Sequence, residues 1–288
     1  MSTVVLLTLT GLGLAALYFL IASGLSLVFG LAGVLNFAHG LFLSVGAYAA
    51  WQAAQQWGLA VAVPVGIAAG AVTGALVELI VIRPLYRRPT EQVLATVGLS
   101  LAGVALLQSV WGADPRTYPR PAWTTDTTSL LGAEVPNDRF LLIAAAALVL
   151  AGLLAFLRWT RYGLIIRAGV ENRAMVSALG IDVRAAFTLV FTLGGALAGT
   201  AGVLGGMYFG SVSPSQGAGL LIFAFIVVVI GGLGSITGSA VAAVVVGVLQ
   251  QFVNYYGTSG AGDVSVVALL AIVLLLRPGG LAGKVTTA

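Results

Sequence analysis

Apolar residues along this chain do not alternate, nor do they recur on one face; they run. Residues 1–82 contain a single formally charged side chain, Glu78, and residues 185–262 contain none. Charges gather at 83–91, at 114–139, at 158–184 and from 277 onward. The runs between them reach the roughly 20 residues that a ~30 Å hydrocarbon core asks of a crossing helix. The pattern predicts helices near 4–30, 41–57, 59–82, 91–112, 139–158 and 185–209, a more broken region over 218–256, and a last helix near 263–276. That last run is short enough to tilt or re-enter. The fold class is all-α: a polytopic integral membrane helical bundle of about 8–10 crossings or half-crossings with interrupted helices. It forms one transmembrane domain over 1–288.

Composition turns this outline into an exclusion. Charged residues are 8% of the 288 positions and hydrophobic ones 59%, whereas an average soluble domain is about 25% charged. A water-soluble enzyme or nucleic-acid binder cannot cover itself with so few charges, and disorder requires low hydrophobicity. The net charge of +4 is therefore a topology signal and implies no nucleic acid. The chain has no cysteine, which excludes disulfides and thiolate metal sites. No basic residue precedes the first apolar run, so it reads as a membrane helix and not as a cleaved signal peptide.

The basic residues set orientation. Segment 83–89 has three arginines and no acid, 158–184 has five arginines against Glu171 and Asp182, and the tail has Arg277 and Lys284. The remaining three arginines lie at 114–139 beside four acids, Asp114, Asp126, Glu134 and Asp138. The positive-inside rule makes 83–90, 158–184 and the C-terminus cytoplasmic and the loop at about 113–139 external. Parity then puts the N-terminus outside. Tyr48, Trp51 and Trp57 crowd one end of the second helix, as an interfacial aromatic belt would.

Thirty-nine glycines are far above the ~7% average. Gly66, Gly70 and Gly74 form a double GxxxG, and Gly195/Gly199, Gly206/Gly210 and Gly234/Gly238 repeat the spacing. Such stripes serve close helix packing within a bundle or a seam between subunits. Residues 30–40 and 231–238 place glycine and small polar residues between apolar runs. They read either as turns at the membrane surface or as helix breaks beside a translocation path, since irregular backbone at depth must be buried or face a water-filled cavity. Asn36 and His39 lie in the first break. A lone His is a hydrogen-bonded structural residue or a path residue, and without Cys or a second His it cannot make a metal site. Glu78, five residues before Arg83, reads as a carboxylate paired with an arginine or as a proton relay.

No catalytic constellation stands out: the spans lack paired carboxylates and there is no GxSxG. The tail at 278–285 fails as a phosphate loop because Pro278 and Val285 replace the required Gly and Ser/Thr. Residues 170–179 instead suit a short cytoplasmic helix stopped by Gly180. Arg167, Glu171, Met175 and Leu179 share one line on it. A mixed apolar and charged stripe of this kind fits a partner's groove or a lipid surface.

Four motifs in order carry a family resemblance: residues 30–40 with Asn36-Phe37-Ala38-His39-Gly40 and then Gly46-Ala47-Tyr48; Glu78 ahead of Arg83-Pro84-Leu85; Arg167-Ala168 through Leu179-Gly180-Ile181; and Gly231 to Gly238 followed by Arg277-Pro278-Gly279-Gly280-Leu281-Ala282-Gly283-Lys284. The chain resembles permease subunits of branched-chain amino acid type ABC importers, the LivH-like family. The resemblance implies a non-catalytic subunit of the bacterial plasma (inner) membrane that binds no cofactor, with ATP and Mg on partner ATPases. Its implied partners are a second homologous permease subunit as a heterodimer, two cytoplasmic ATPase subunits, an external solute-binding protein and membrane lipid. It places ATPase coupling at Arg167, Glu171, Asn172, Met175 and Leu179. Asn36, His39, Gly40, Gly231, Gly232, Gly234 and Ser235 would line or shape the translocation path. The implied solute is small and polar: a branched-chain or related amino acid, amide, urea or organic acid. The family often has a lysine before the second break where this chain has Ile222-Phe223-Ala224-Phe225, which widens that range. A secondary transporter or channel is the alternative.

Overall fold

The computed structural model describes residues 2–33, 35–178, 180, 183–258 and 260–282. Its helices are α1 (Ser2–Ala32), α2 (His39–Trp57), α3 (Leu59–Val77), α4 (Pro89–Trp111), α5 (Ala122–Thr125), α6 (Asn137–Trp159), α7 (Arg161–Ala178), α8 (Val183–Phe209), α9 (Gln216–Gly231), α10 (Ile236–Tyr256) and α11 (Ala261–Leu276). A π-helical turn (Glu78–Ile82) and a 3-10 turn (Arg83–Leu85) extend α3. Among the described residues, six helices are long and apolar enough to cross a membrane. The broken region at 218–256 resolves into α9 and α10, separated at 232–235. Helices α9 and α11 have 16 residues each, about 24 Å at 1.5 Å per residue, so both are shorter than a full crossing. The protein is a polytopic helical membrane bundle.

Helix α1 is its axis. It is buried without interruption from Gly13 to Val28 and packs against α6, α8, α9 and α10. By contrast most of the apolar surface of α4 and α6 faces outward, away from the rest of the bundle. Because lipid supplies little hydrophobic drive between helices, close dispersion contact has to hold the bundle. Glycine permits it. A Cβ on Gly11 would stand 2.9 Å from Val248 Cα, one on Gly247 2.6 Å from the Ala15 nitrogen, and one on Gly70 2.3 Å from the Gly195 carbonyl. The Gly66/Gly70/Gly74 stripe is thus used inside the chain, against Gly195 and Gly199 of α8.

Three features depart from the sequence expectations. The helix expected near 170–179 begins earlier, at Arg161, where the Thr160 hydroxyl caps it by accepting from Gly163 N at 2.9 Å. Tyr48 is no interfacial residue: it is fully buried, with its ring 5.0 Å from that of Trp111, although Trp57 is 64% exposed as a belt residue would be. The loop at about 113–139 also carries strands. There β1 (Arg116–Thr117) pairs across the chain with β4 (Ser211–Val212), and β2 (Thr127–Leu130) with β3 (Ala133–Pro136) forms a hairpin. Its two-residue turn, Leu131-Gly132, has positive φ at both positions, which matches the twist of paired strands.

Candidate functional site

The second break is built by glycine and capped by serine. Gly232 and Gly234 take φ of 99° and 82°, a region closed to side chains with a Cβ. Ser235 then accepts a hydrogen bond from Gly238 N at 3.0 Å and starts α10, satisfying one of the free amides of a helix start. The tail covers the break: Leu281 N donates to the Ile230 carbonyl at 2.8 Å and Ala282 N to the Gly231 carbonyl at 3.1 Å. Both halves of the fourth sequence motif therefore meet, with Gly283 and Lys284 outside the described residues.

A cavity of about 360 Å³ opens beside this break. Ser26, Leu27 and Gly30 of α1, Leu157 of α6, Ile166 and Arg167 of α7, and Gly234 and Ile236 line it. The Ser26 hydroxyl shares a 2.7 Å hydrogen bond with that of Ser239, tying α1 to α10 at the wall. The cavity brings together two groups of residues that the sequence could only nominate separately: Arg167 from α7 and Gly234 from the break.

Helix α7 packs inward through Ile166 and Val176, which are buried, and turns Leu164 and Met175 outward, each 62% exposed. Gly169 lets it approach α1, since a Cβ there would lie 2.7 Å from Leu31 Cδ1. Gly180, with φ of 77°, follows its end. Glu171 and Asn172 lie on α7, but their side chains, and all of Leu179, fall outside the described residues.

The first break is packed differently. The Asn36 side-chain oxygen accepts from Ala38 N at 3.0 Å, and Phe37 N donates to Thr96 Oγ1 of α4 at 3.3 Å. His39 is fully buried, its Nε2 3.2 Å from the Ile21 carbonyl and its ring against Gly24. A Cβ on Gly40 would lie 2.6 Å from the Gly217 carbonyl of α9. Among the described residues, Asn36 Nδ2 and His39 Nδ1 are buried without a hydrogen-bond partner. None of Asn36, His39 and Gly40 lines the cavity.

Glu78 is paired with an arginine. Its carboxylate is fully buried and accepts from Arg83 Nε at 3.3 Å, from the Tyr86 hydroxyl, and from Thr188 Oγ1 at 2.8 Å. Burial, and then the bond to Glu78, raise the Tyr86 phenol above its ordinary value. Thr188 lies 110 residues away in sequence, and no local signal marks it as the partner. Among the described residues, no three His, Asp or Glu side chains converge as a metal site would require.

Comparison with known proteins agrees with this architecture. The family described as "Branched-chain amino acid transport system / permease component" matches residues 7–276. The high-affinity branched-chain amino acid transport system permease protein LivH of Salmonella typhimurium is 29% identical, over 95% of this chain and 94% of its own. The corresponding protein BraD of Pseudomonas aeruginosa is 32% identical over the same shares. The ribose import permease protein RbsC of Escherichia coli is 27% identical, over 89% of this chain and 80% of its own. No solved structure matches the chain significantly. With a match that runs from α1 to the end of α11, this chain belongs to the family of branched-chain amino acid transport system permease components.

Proposed function

We propose that this chain is one of two permease subunits of an ATP-binding-cassette importer, forming half of the path for a branched-chain amino acid or a related small polar solute. ATP hydrolysis belongs to two cytoplasmic ATPase chains, and an external binding protein delivers the solute. The observation that carries the reading is the cavity shared by Arg167 and Gly234: the helix suited to docking and the helix break meet in one space. A push on α7 therefore reaches the break through side chains already in contact with the cavity, which suits rigid-body alternating access.

In this reading 83–90, 158–184 and the C-terminus are cytoplasmic, and Arg167, Glu171, Asn172, Met175 and Leu179 meet the ATPases. Gly234 lines the path at the cavity, and Gly231, Gly232 and Ser235 shape it, as Asn36, His39 and Gly40 do from behind. The likeness to a ribose import permease supports a scaffold whose solute is selected mainly by the external binding protein. The resemblance of the whole chain to LivH and BraD favours a branched-chain amino acid as the first solute to try.

The test is a mild-detergent pull-down of the tagged chain, with and without Met175→Arg. The wild type is expected to retain a second permease and ATPases, and Met175→Arg to lose the ATPases alone. A wild type that retains neither, from membranes containing both, sinks the importer reading in favour of a secondary transporter or channel. ATPases that remain on Met175→Arg at wild-type amounts remove α7 as the docking element.

A further inference from the structure

We infer that Glu78 is a positioning residue that locks the cytoplasmic ends of α3 and α8 into one lever, so that both helices carry a displacement of α7 into the membrane together. The inference rests on the importer reading above, because it needs a force applied at α7.

The contact between α3 and α8 follows a single line. Along α3 the residues are Gly66, Gly70, Gly74 and Glu78, four apart. Opposite them on the antiparallel α8 stand Gly199, Gly195, Phe191 and Thr188. At the first three steps the backbones nearly touch: a Cβ on Gly199 would be 2.5 Å from the Gly66 carbonyl, one on Gly195 2.2 Å from that of Gly70, and one on Gly74 2.3 Å from that of Phe191. Such a seam resists separation by dispersion, yet glycine surfaces are smooth and give little resistance to sliding along the helix axis. Directional bonds supply that resistance, and they occur at the fourth step.

There the Glu78 carboxylate is fully buried, which is costly unless every acceptor oxygen is engaged. One oxygen takes Arg83 and Tyr86, and the other takes Thr188. The Thr188 hydroxyl also accepts from Arg83 Nη2 at 2.9 Å, which closes a ring between the two helices. Its 2.8 Å bond to Glu78 is shorter than its 3.2 Å contact with the Arg184 carbonyl.

Local backbone geometry makes the ring reachable. In a regular α-helix at about 100° per residue, positions i and i+5 lie about 140° apart and do not face each other. Here the π turn lets Arg83 N donate to the Glu78 carbonyl, and the guanidinium comes back over the carboxylate. A π turn inside a helix is rare and marks functional sites more often than chance. Helix α8 begins at Val183, immediately after the α7 segment, so Thr188 sits within the first turns that any motion of α7 reaches.

The experiment compares Thr188→Val, which keeps shape and removes the hydroxyl, with Glu78→Ala in the assembled complex in proteoliposomes. Solute moved per ATP hydrolysed is measured for equal amounts of complex. The lever predicts that hydrolysis persists while this ratio falls several-fold in both variants. Because the natural chain has no cysteine, Glu78→Cys/Thr188→Cys can be joined by a short thiol crosslinker, which is expected to restore the ratio. An unchanged ratio, with uptake falling only as assembly falls, overturns the lever and leaves Glu78 a stabilising residue. Transport blocked by the crosslink overturns it as well, since the helices would then need to slide. A wild type that never binds ATPases fails the importer reading instead, which the pull-down detects separately.

Discussion

The two helix breaks look alike in sequence, both glycine-rich with small polar residues between apolar runs, yet they solve opposite problems. The break before α2 opens at Gly33 and Leu35 on a cavity of about 390 Å³ against Pro89, Thr90 and Val93, but its polar end is a closed joint: Asn36 and His39 are buried, and Gly40 is pressed on the backbone of α9. The break before α10 faces a cavity, is shaped by two glycines of positive φ, and is strapped by backbone bonds from the tail. Polarity at a break therefore does not distinguish a path from a joint. What covers the polar atoms does. The first break puts them against neighbouring helices, and the second leaves Gly234 and the start of α10 at a cavity.

This contrast is broken most sharply at Gly40. A side chain there meets the Gly217 carbonyl, and a Cβ on Gly217 would in turn stand 2.0 Å from the Gly40 carbonyl, so neither backbone has room to give. Gly40→Val is expected to cost more than the ~1–3 kcal/mol typical of overpacking a core and to remove most folded protein from membranes. Fluorescence-detected size exclusion of a tagged chain measures this. A monodisperse peak of wild-type height would show that the joint is not closed.

The sequence reveals as much as one-dimensional hydropathy can carry. Charge-free runs locate the helices within a few residues, as at 185–209 against Val183–Phe209, because lipid leaves each span few options. Gly180 is readable as a stop for the same local reason. Contacts between distant segments are not readable this way. Nothing in the sequence joins Thr117 to Ser211, Thr188 to Glu78, or the tail to the second break, since those pairings arise only when the bundle packs. Tyr48 misleads for a related reason: an aromatic near a helix end suits an interface, but here the rings of Trp51 and Trp111 pack against it. The site is legible by segment, through Arg167 and Gly234, and illegible as a shared cavity.

His39 gives the next largest effect and tests the closed joint from its polar side. His39→Ala removes the bond to the Ile21 carbonyl and leaves a void where the ring meets Gly24 and Phe42. Ile21 lies inside α1, where its carbonyl keeps its intrahelical bond, so the loss is one hydrogen bond of about 0.5–1.5 kcal/mol plus the void, and thermal unfolding in detergent should begin several degrees lower. Solute uptake per assembled complex should change little by comparison. If the variant melts like the wild type but transports poorly, His39 belongs to the path and the two breaks are more alike than their packing suggests.

The smallest effect on stability, and the finest test of the contrast, lies at Ser235. Its side chain caps α10 through Gly238 N, and losing such a cap costs about 1 kcal/mol. The break is also held by Leu281 and Ala282 from the tail, so Ser235→Ala should fold and assemble nearly as the wild type does. Yet α10 starts at the cavity wall, and an uncapped first turn frays at the proposed path. Transport per complex should therefore fall more than melting temperature does, the reverse of the order expected for His39→Ala. Measuring both quantities for both variants puts the comparison on one plot. Two points on the line along which transport falls in proportion to melting temperature would mean that both breaks are merely structural. Points on opposite sides of it would separate the joint from the path.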